Sequence, residues 1–244
     1  MNPSTRATVA AAASVAIAAA GMYGARWLAV AVLATVFVLA LGWPALTWTP
    51  HWITGSIIVL GSGALSTVAV LLGRDEPYLR HMVVALSIAV VAALVVEVLR
   101  PSPPGQVVTA VASTVSGAAV AASAAAWIAV ARTPGAEDLV VVGAAALAVA
   151  AVASTLSSNM AFNVSLALLL AAGVGAGAGY VFSSLPWYGG MFVGILSACA
   201  FITVHELTRR DTENQSVLAA IASGIVPVTV AGTLVYIGGR IVVG

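Results

Sequence analysis

Apolar residues in this chain come in long unbroken runs. They cover about 7–23, 27–46, 52–72, 82–99, 107–131, 139–156, 160–182, 188–204 and 217–238. Most of these runs have the ~17–25 residues that a helix needs to cross hydrocarbon. Strands of a membrane barrel would alternate in polarity over about ten residues, and these runs do not. The breaks carry turn chemistry: "GWPALTWTPHW", "GRDEPYLRH", "RPSPPGQ", "RTPGAED", "SSN", "SSLPW" and "HELTRRDTENQS". None is long enough to hold a soluble domain. The first run, "ATVAAAASVAIAAAGMY", is mostly alanine, and with Arg6 ahead of it the layout mimics a secretory leader. A second apolar run follows within a few residues, so the expectation is a retained helix. The predicted fold is all-α, a polytopic transmembrane helix bundle of eight or nine spans that forms a single membrane domain over residues 1–244.

Composition fixes the solvent. The chain is 61% hydrophobic and 7% charged, with a mean hydropathy of +1.11. Soluble domains carry about 25% charged residues, so the partner of this outer surface is a lipid bilayer. The expected location is a cell membrane, crossed many times. All nine basic residues are arginines, at positions 6, 26, 74, 80, 100, 132, 209, 210 and 240. The absence of lysine beside the excess of alanine and valine points to a GC-rich genome and a bacterial plasma membrane. With a net charge of +1 and never more than two adjacent arginines, the chain has no electrostatic footprint for nucleic acid and no polybasic lipid patch. Nine spans put Arg26, Arg74, Arg80, Arg132 and Arg240 on one face and Arg6, Arg100, Arg209 and Arg210 on the other. Five against four gives no positive-inside bias, and orientation stays open. Cys199 is the single cysteine, which excludes an intrachain disulfide.

The pattern also repeats. At an offset of 109 residues, Pro77-Tyr78 falls on Pro186-Trp187, Met82 on Met191, Glu97 on Glu206, Arg100 on Arg209, Gln106 on Gln215, and Trp127-Ile128 on Tyr236-Ile237. One ungapped offset carries all of these matches, and residues of these types rarely coincide in an Ala/Val-rich chain. The reading is an internal duplication: an extra N-terminal helix at 7–23, repeat 1 at 27–132 and repeat 2 at 136–240. Each unit would hold four spans. An even number of crossings returns the chain to its starting side, so the repeats would be parallel.

The candidate polar residues are few. Glu97 lies inside a predicted span, and Glu206 lies just beyond one. Each has an arginine three residues on, Arg100 and Arg209, which is neighbour spacing on a helix. Two readings stand: interfacial ion pairs that end the helices, or symmetry-related carboxylates facing a central cavity to bind a cation, a proton or a polar solute. Asn163 is the amide within the spans. "AAGVGAGAGY" holds two overlapping GxxxG patterns, Gly173/Gly177 and Gly175/Gly179, either a close packing seam or an unwound stretch lining a site. Pro227, mid-span in "GIVPVTVAG", is expected to kink its helix near Ser223. Ser113, Ser116 and Ser123 recur at helical spacing as a small-residue packing face.

Catalytic signatures are missing. "HELTRR" has an arginine where a zinc protease needs its second histidine. A P-loop, a Schiff-base lysine and an aspartate pair for Mg²⁺ are likewise absent from the sequence. No cofactor and no metal centre are expected. The blocks "VASTVSGAAVAASAAAWIAVARTPG" and "ASGIVPVTVAGTLVYIGGR" resemble an uncharacterised actinobacterial multi-pass membrane family often labelled permease. The resemblance implies transport of a small solute and brings no functional residues with it. Two functions are therefore carried forward: a small-solute permease, and a non-transporting scaffold, assembly or regulatory subunit working with other membrane proteins.

Overall fold

The computed structural model describes residues 3–73, 76–182, 185–209 and 216–243. Arg74, Arg210 and Gln215 fall outside the described residues, as does the side chain of Arg209. The described chain is all-helical: α1 (Pro3–Met22), α2 (Ala25–Thr47), α3 (Trp52–Leu72), α4 (Met82–Leu99), α5 (Val107–Ser123), α6 (Ala126–Arg132), α7 (Leu139–Ala153), α8 (Met160–Val181), α9 (Trp187–Arg209) and α10 (Val217–Val243). With α5 and α6 taken as one segment, eight of these are long and apolar enough to cross a bilayer. The exception is α7, with 15 residues, or about 22 Å of helix. It stops short of the expected 156 because the turn that follows is closed by side chains, as described below. In the other direction, α9 runs past the predicted 204, so Glu206 lies inside a helix.

Polarity follows from the contacts. Gly175 and Gly179 of α8 meet Gly190 and Trp187 of α9, so this pair is antiparallel. Ser62 and Gly63 of α3 meet Ala118 and Ala121 of α5, so that pair is parallel. Gly143 and Gly239 set α7 antiparallel to α10. The α1 N-terminus, the α2–α3, α4–α5 and α7–α8 turns and the start of α10 thus share one end of the bundle, called here the first face. α1 is part of the bundle, packing on α7, α10 and α2 with Ala7, Ala10 and Ile17 buried.

The centre is filled rather than hollow. Eleven of the 15 residues of α7 are buried, and Ala126 through Val130 of α6 are all at most 1% exposed. A helix apolar on every side belongs inside other helices. Large aliphatic and aromatic side chains point the other way on the rim: Trp27, Phe37, Ile57, Val83, Leu169 and Ile241 are each half-exposed or more, as a lipid-facing surface requires.

The expected single span at 107–131 is interrupted. At Ala124 and Ala125 the backbone bonds shift to the tighter i to i+3 pattern, with Ala124 N–H on Ala121 O and Ala125 N–H on Ala122 O. The Ser123 hydroxyl bonds back to Val120 O at 2.6 Å, the local competition through which serine disturbs helices. Such a break survives at membrane depth only when buried in protein, and here it is. Beyond it Trp127, fully buried, lies over Gly232 of α10 and donates its indole N–H to the Val228 carbonyl at 2.8 Å. Helix α10 is continuous through Pro227, with the Ser223 hydroxyl donating to Ala220 O before it and the Thr229 hydroxyl donating to Val226 O after it. Trp127→Phe keeps an aromatic ring but removes the donor and the pyrrole part of the indole that packs on Gly232. The expected loss is about 2–4 kcal/mol from the hydrogen bond and the cavity together, read as a lower midpoint of thermal unfolding in detergent.

Candidate functional site

Polar side chains gather at the first face, where α2, α3, α4 and α5 meet. The geometry begins with the end of α2. Trp48 takes the left-handed conformation, φ 55°, and turns the chain back so that the Thr49 N–H reaches Pro44 O at 3.1 Å. The reversal brings Thr49 against Thr47 and against Ser113 of α5. Ser113 Oγ donates to Thr47 Oγ1 at 2.7 Å, and Thr47 Oγ1 donates to Trp43 O at 3.0 Å. Both protons are then spent, and Thr49 Oγ1, which lies 2.8 Å from Thr47 Oγ1 and 2.6 Å from Ser113 Oγ, gives its own proton to one of these two contacts. The Trp43 indole N–H closes the group on Ser113 O at 2.9 Å. Every hydroxyl proton in this triangle is engaged.

Glu97 sits beside this cluster. Its Oε1 accepts the Ser102 N–H at 2.6 Å and its Oε2 accepts the Ser102 hydroxyl at 3.0 Å. The expected pairing with Arg100 is not made: Arg100 is exposed and has left the helix, with φ −139° and ψ 78°. Neighbour spacing at i+3 holds only while both residues are helical, and Pro101 biases the residue before it towards extended backbone. Among the described residues no arginine pairs with Glu97.

Glu97, Thr49, His51 and Thr114 line one small cavity, floored by Gly55, Ile58, Ala93, Val96, Ala110 and Val111, with about 10 Å³ open to the centre of a water-sized sphere. That is room for about one water molecule. His51 Nε2 is buried without a hydrogen-bond partner. Thr114 donates its proton to Ala110 O at 2.9 Å.

No family model, curated protein or solved structure matches this chain.

The other candidates sit elsewhere. Asn163 closes the α7–α8 turn: its amide donates to Ser154 O at 2.8 Å and Ser157 O at 2.7 Å and accepts from Ser157 N–H at 3.0 Å. Glu206 lies near the end of α9, which packs on α7, α8 and α10, whereas α4 packs on α3 and α5. The two glutamates therefore belong to different helix sets. The glycines of α8 divide by face. A Cβ at Gly175 would run into the Gly190 carbonyl and one at Gly179 would lie 2.6 Å from Trp187 Cα, while Gly173 and Gly177 have open space. Among the described residues no group of three or more His, Cys, Asp or Glu side chains could hold a metal.

The opposite face carries a lock that sequence reading missed. Arg132, at the end of α6, donates to the carbonyls of Val70, Leu71 and Gly73 at the end of α3. Its guanidinium lies 4.7 Å from the Tyr78 ring centroid. Arg240 of α10 pairs with Glu76 in the α3–α4 connection. The one hint was that Arg132 and Arg240 both end apolar runs on the side opposite Glu97.

Proposed function

We propose that this polytopic membrane protein is a non-transporting subunit, a scaffold or assembly component that acts through its lipid-facing sides on other membrane proteins. The observation that carries this reading is the filled centre. Trp127, Ile128, Leu139, Leu147, Val228 and Val235 are each 0% exposed and occupy the space where a solute path between two halves would run. The polar candidates support it as well, since Asn163 and Glu97 are engaged in closing turns at one face.

The test is thiol accessibility in a Cys199→Ser background. Cysteines placed at Ala144, Leu147 and Val228 are expected to resist a membrane-impermeant maleimide applied from either side. Labelling of these positions, or solute flux in proteoliposomes, would overturn the scaffold reading and favour the permease. The permease reading draws on the polar cavity at Glu97 and on the duplication. In favour of a duplication, an offset of 109 carries 52–72 onto 161–181, beside α8 at 160–181, and 107–132 onto 216–241, beside α10 at 217–243. The packing within the two arms differs: α8 and α9 meet glycine to glycine, whereas α3 and α4 are parted by an apolar groove of about 260 Å³ lined by Ile57, Gly61, Leu65, Ala85 and Ile88.

A further inference from the structure

We propose that the groove between α3 and α4 seats one acyl chain of an anionic phospholipid whose headgroup lies on Arg80 at the opposite face. The groove holds about 260 Å³. Ser62, the one polar side chain lining it, spends its proton on Ala118 O at 3.1 Å, so the wall offers hydrocarbon contacts. Ile57, Leu65 and Ile88 are 62%, 40% and 54% exposed and form a rim that opens sideways to lipid. A Cβ on Gly61, which also lines the groove, would meet nothing within 4 Å.

Size decides what enters. From Ile57 to Leu65 the groove follows α3 for about 12 Å, which gives a mean section on the order of 20 Å². A helix with its side chains is 10–12 Å across, or roughly 80–110 Å² in section, and does not fit. A single extended hydrocarbon chain, whose neighbours approach its carbons to about 4 Å, does. Depth agrees. Ala92, the groove residue furthest along α4, lies ten residues beyond Met82, about 15 Å down the helix. One leaflet of a ~30 Å hydrocarbon core is as deep.

Charge places the headgroup. The 3₁₀ turn Tyr78–His81 packs on both α3 and α4 at the opposite face. Arg80 is exposed there, and its Nε–H goes to His81 Nε2 at 3.0 Å. Its two terminal nitrogens remain. Among the described residues no carboxylate pairs with them, and Glu76 is taken by Arg240. Arg132 adds a second positive charge, its guanidinium 4.7 Å from the Tyr78 ring centroid. Helix α4 then starts with no acidic residue in its first turn, which leaves the positive end of its dipole uncompensated. A phosphate answers all three, and the arginine fork matches its oxygens. A zwitterionic lipid carries, beside its phosphate, a cation that these charges repel. The bundle centre plays no part, so the site stands whether the protein is a scaffold or a permease.

The experiment is thermal unfolding of the purified protein in detergent, with dioleoyl phosphatidylglycerol or dioleoyl phosphatidylcholine titrated into the micelles. Phosphatidylglycerol is expected to raise the midpoint saturably, by roughly 2–4 °C at about five times its apparent Kd. It should bind about fivefold more tightly than phosphatidylcholine, the weight of one arginine near a membrane surface, and Arg80→Gln should erase that difference. Gly61→Leu places its side chain in open space, so the fold is kept, and it should abolish the response to both lipids. Sodium phosphate and dihexanoyl phosphatidylglycerol, which carry the anion without a long chain, should leave the midpoint unchanged. The proposal fails if the two dioleoyl lipids act alike on the native chain, or if Arg80→Gln keeps the preference. It also fails if Gly61→Leu responds as the native chain does, or if sodium phosphate reproduces the shift.

Discussion

Gly175→Ala is expected to destabilise the protein by about 3 kcal/mol, whereas Gly173→Ala, two residues away, should leave stability unchanged or raise it by up to about 1 kcal/mol. The reason lies in what each added methyl meets. At Gly175 it meets the carbonyl oxygen of Gly190, and a methyl at Gly190 would meet the carbonyl of Gly175 in return. Gly194 stands in the same relation to Ala171 O. These obstacles are backbone, which cannot rotate aside as a side chain would. The two helices must separate, and dispersion contacts along the whole seam weaken with them. In lipid this matters more than in water, because helix association there rests on close packing and not on expulsion of solvent. At Gly173 the methyl enters open space, and the intrinsic preference of a helix for alanine over glycine remains. Thermal unfolding in detergent separates the two outcomes. Equal midpoints for both variants would mean that the α8–α9 seam is not built as described.

The same pair of glycines shows how far the sequence could be read. Overlapping GxxxG patterns announced a seam, but Gly173 and Gly175 lie about 200° apart around the helix. Only one pattern could face α9, and the flanking residues are apolar on all sides, so nothing local chose between them. The spans themselves were legible because hydrocarbon leaves the backbone few options: each crossing must be a continuous apolar helix. Their ends were less so. α7 stops at Ala153 because Asn163 binds the carbonyls that follow, a contact that no run of apolar residues encodes. Around Glu97 the i+3 spacing suggested a pair with Arg100, yet the proline after Arg100 was already a signal that the helix stops there. The hydroxyl triangle was beyond reach, since it depends on a tryptophan in a left-handed conformation and on a serine 64 residues further on from Thr49.

Arg132→Ala should cost about 3 kcal/mol, the larger of two contrasting effects at the opposite face. A helix ends with carbonyls that have no partner within it, and its C-terminus carries a partial negative charge. α3 has no basic residue of its own in its last turn. Arg132 supplies one from α6: one guanidinium nitrogen reaches Val70 O and Leu71 O, and the other reaches Gly73 O at 2.7 Å. Hydrogen bonds to a charged group contribute about 1.5–3 kcal/mol each. Three shared by one partly buried group add to less than their sum, hence the figure of about 3. Arg132→Lys keeps the charge but offers a point donor in place of a fork, and should recover less than half of the loss. Arg240→Ala is the comparison. Its partner Glu76 is one-third exposed and Arg240 itself is 41% exposed. A solvated pair of that kind is worth about 0–1 kcal/mol. Hydrogen exchange adds the local reading: Arg132→Ala should speed exchange in the last turn of α3, where the Gly73 N–H holds Ala69 O at 3.0 Å, and Arg240→Ala should not. If the two variants unfold at the same temperature and exchange alike, the cap on α3 does not stabilise the protein as argued, and the join between α3 and α6 must rest on the packing around Val70 alone.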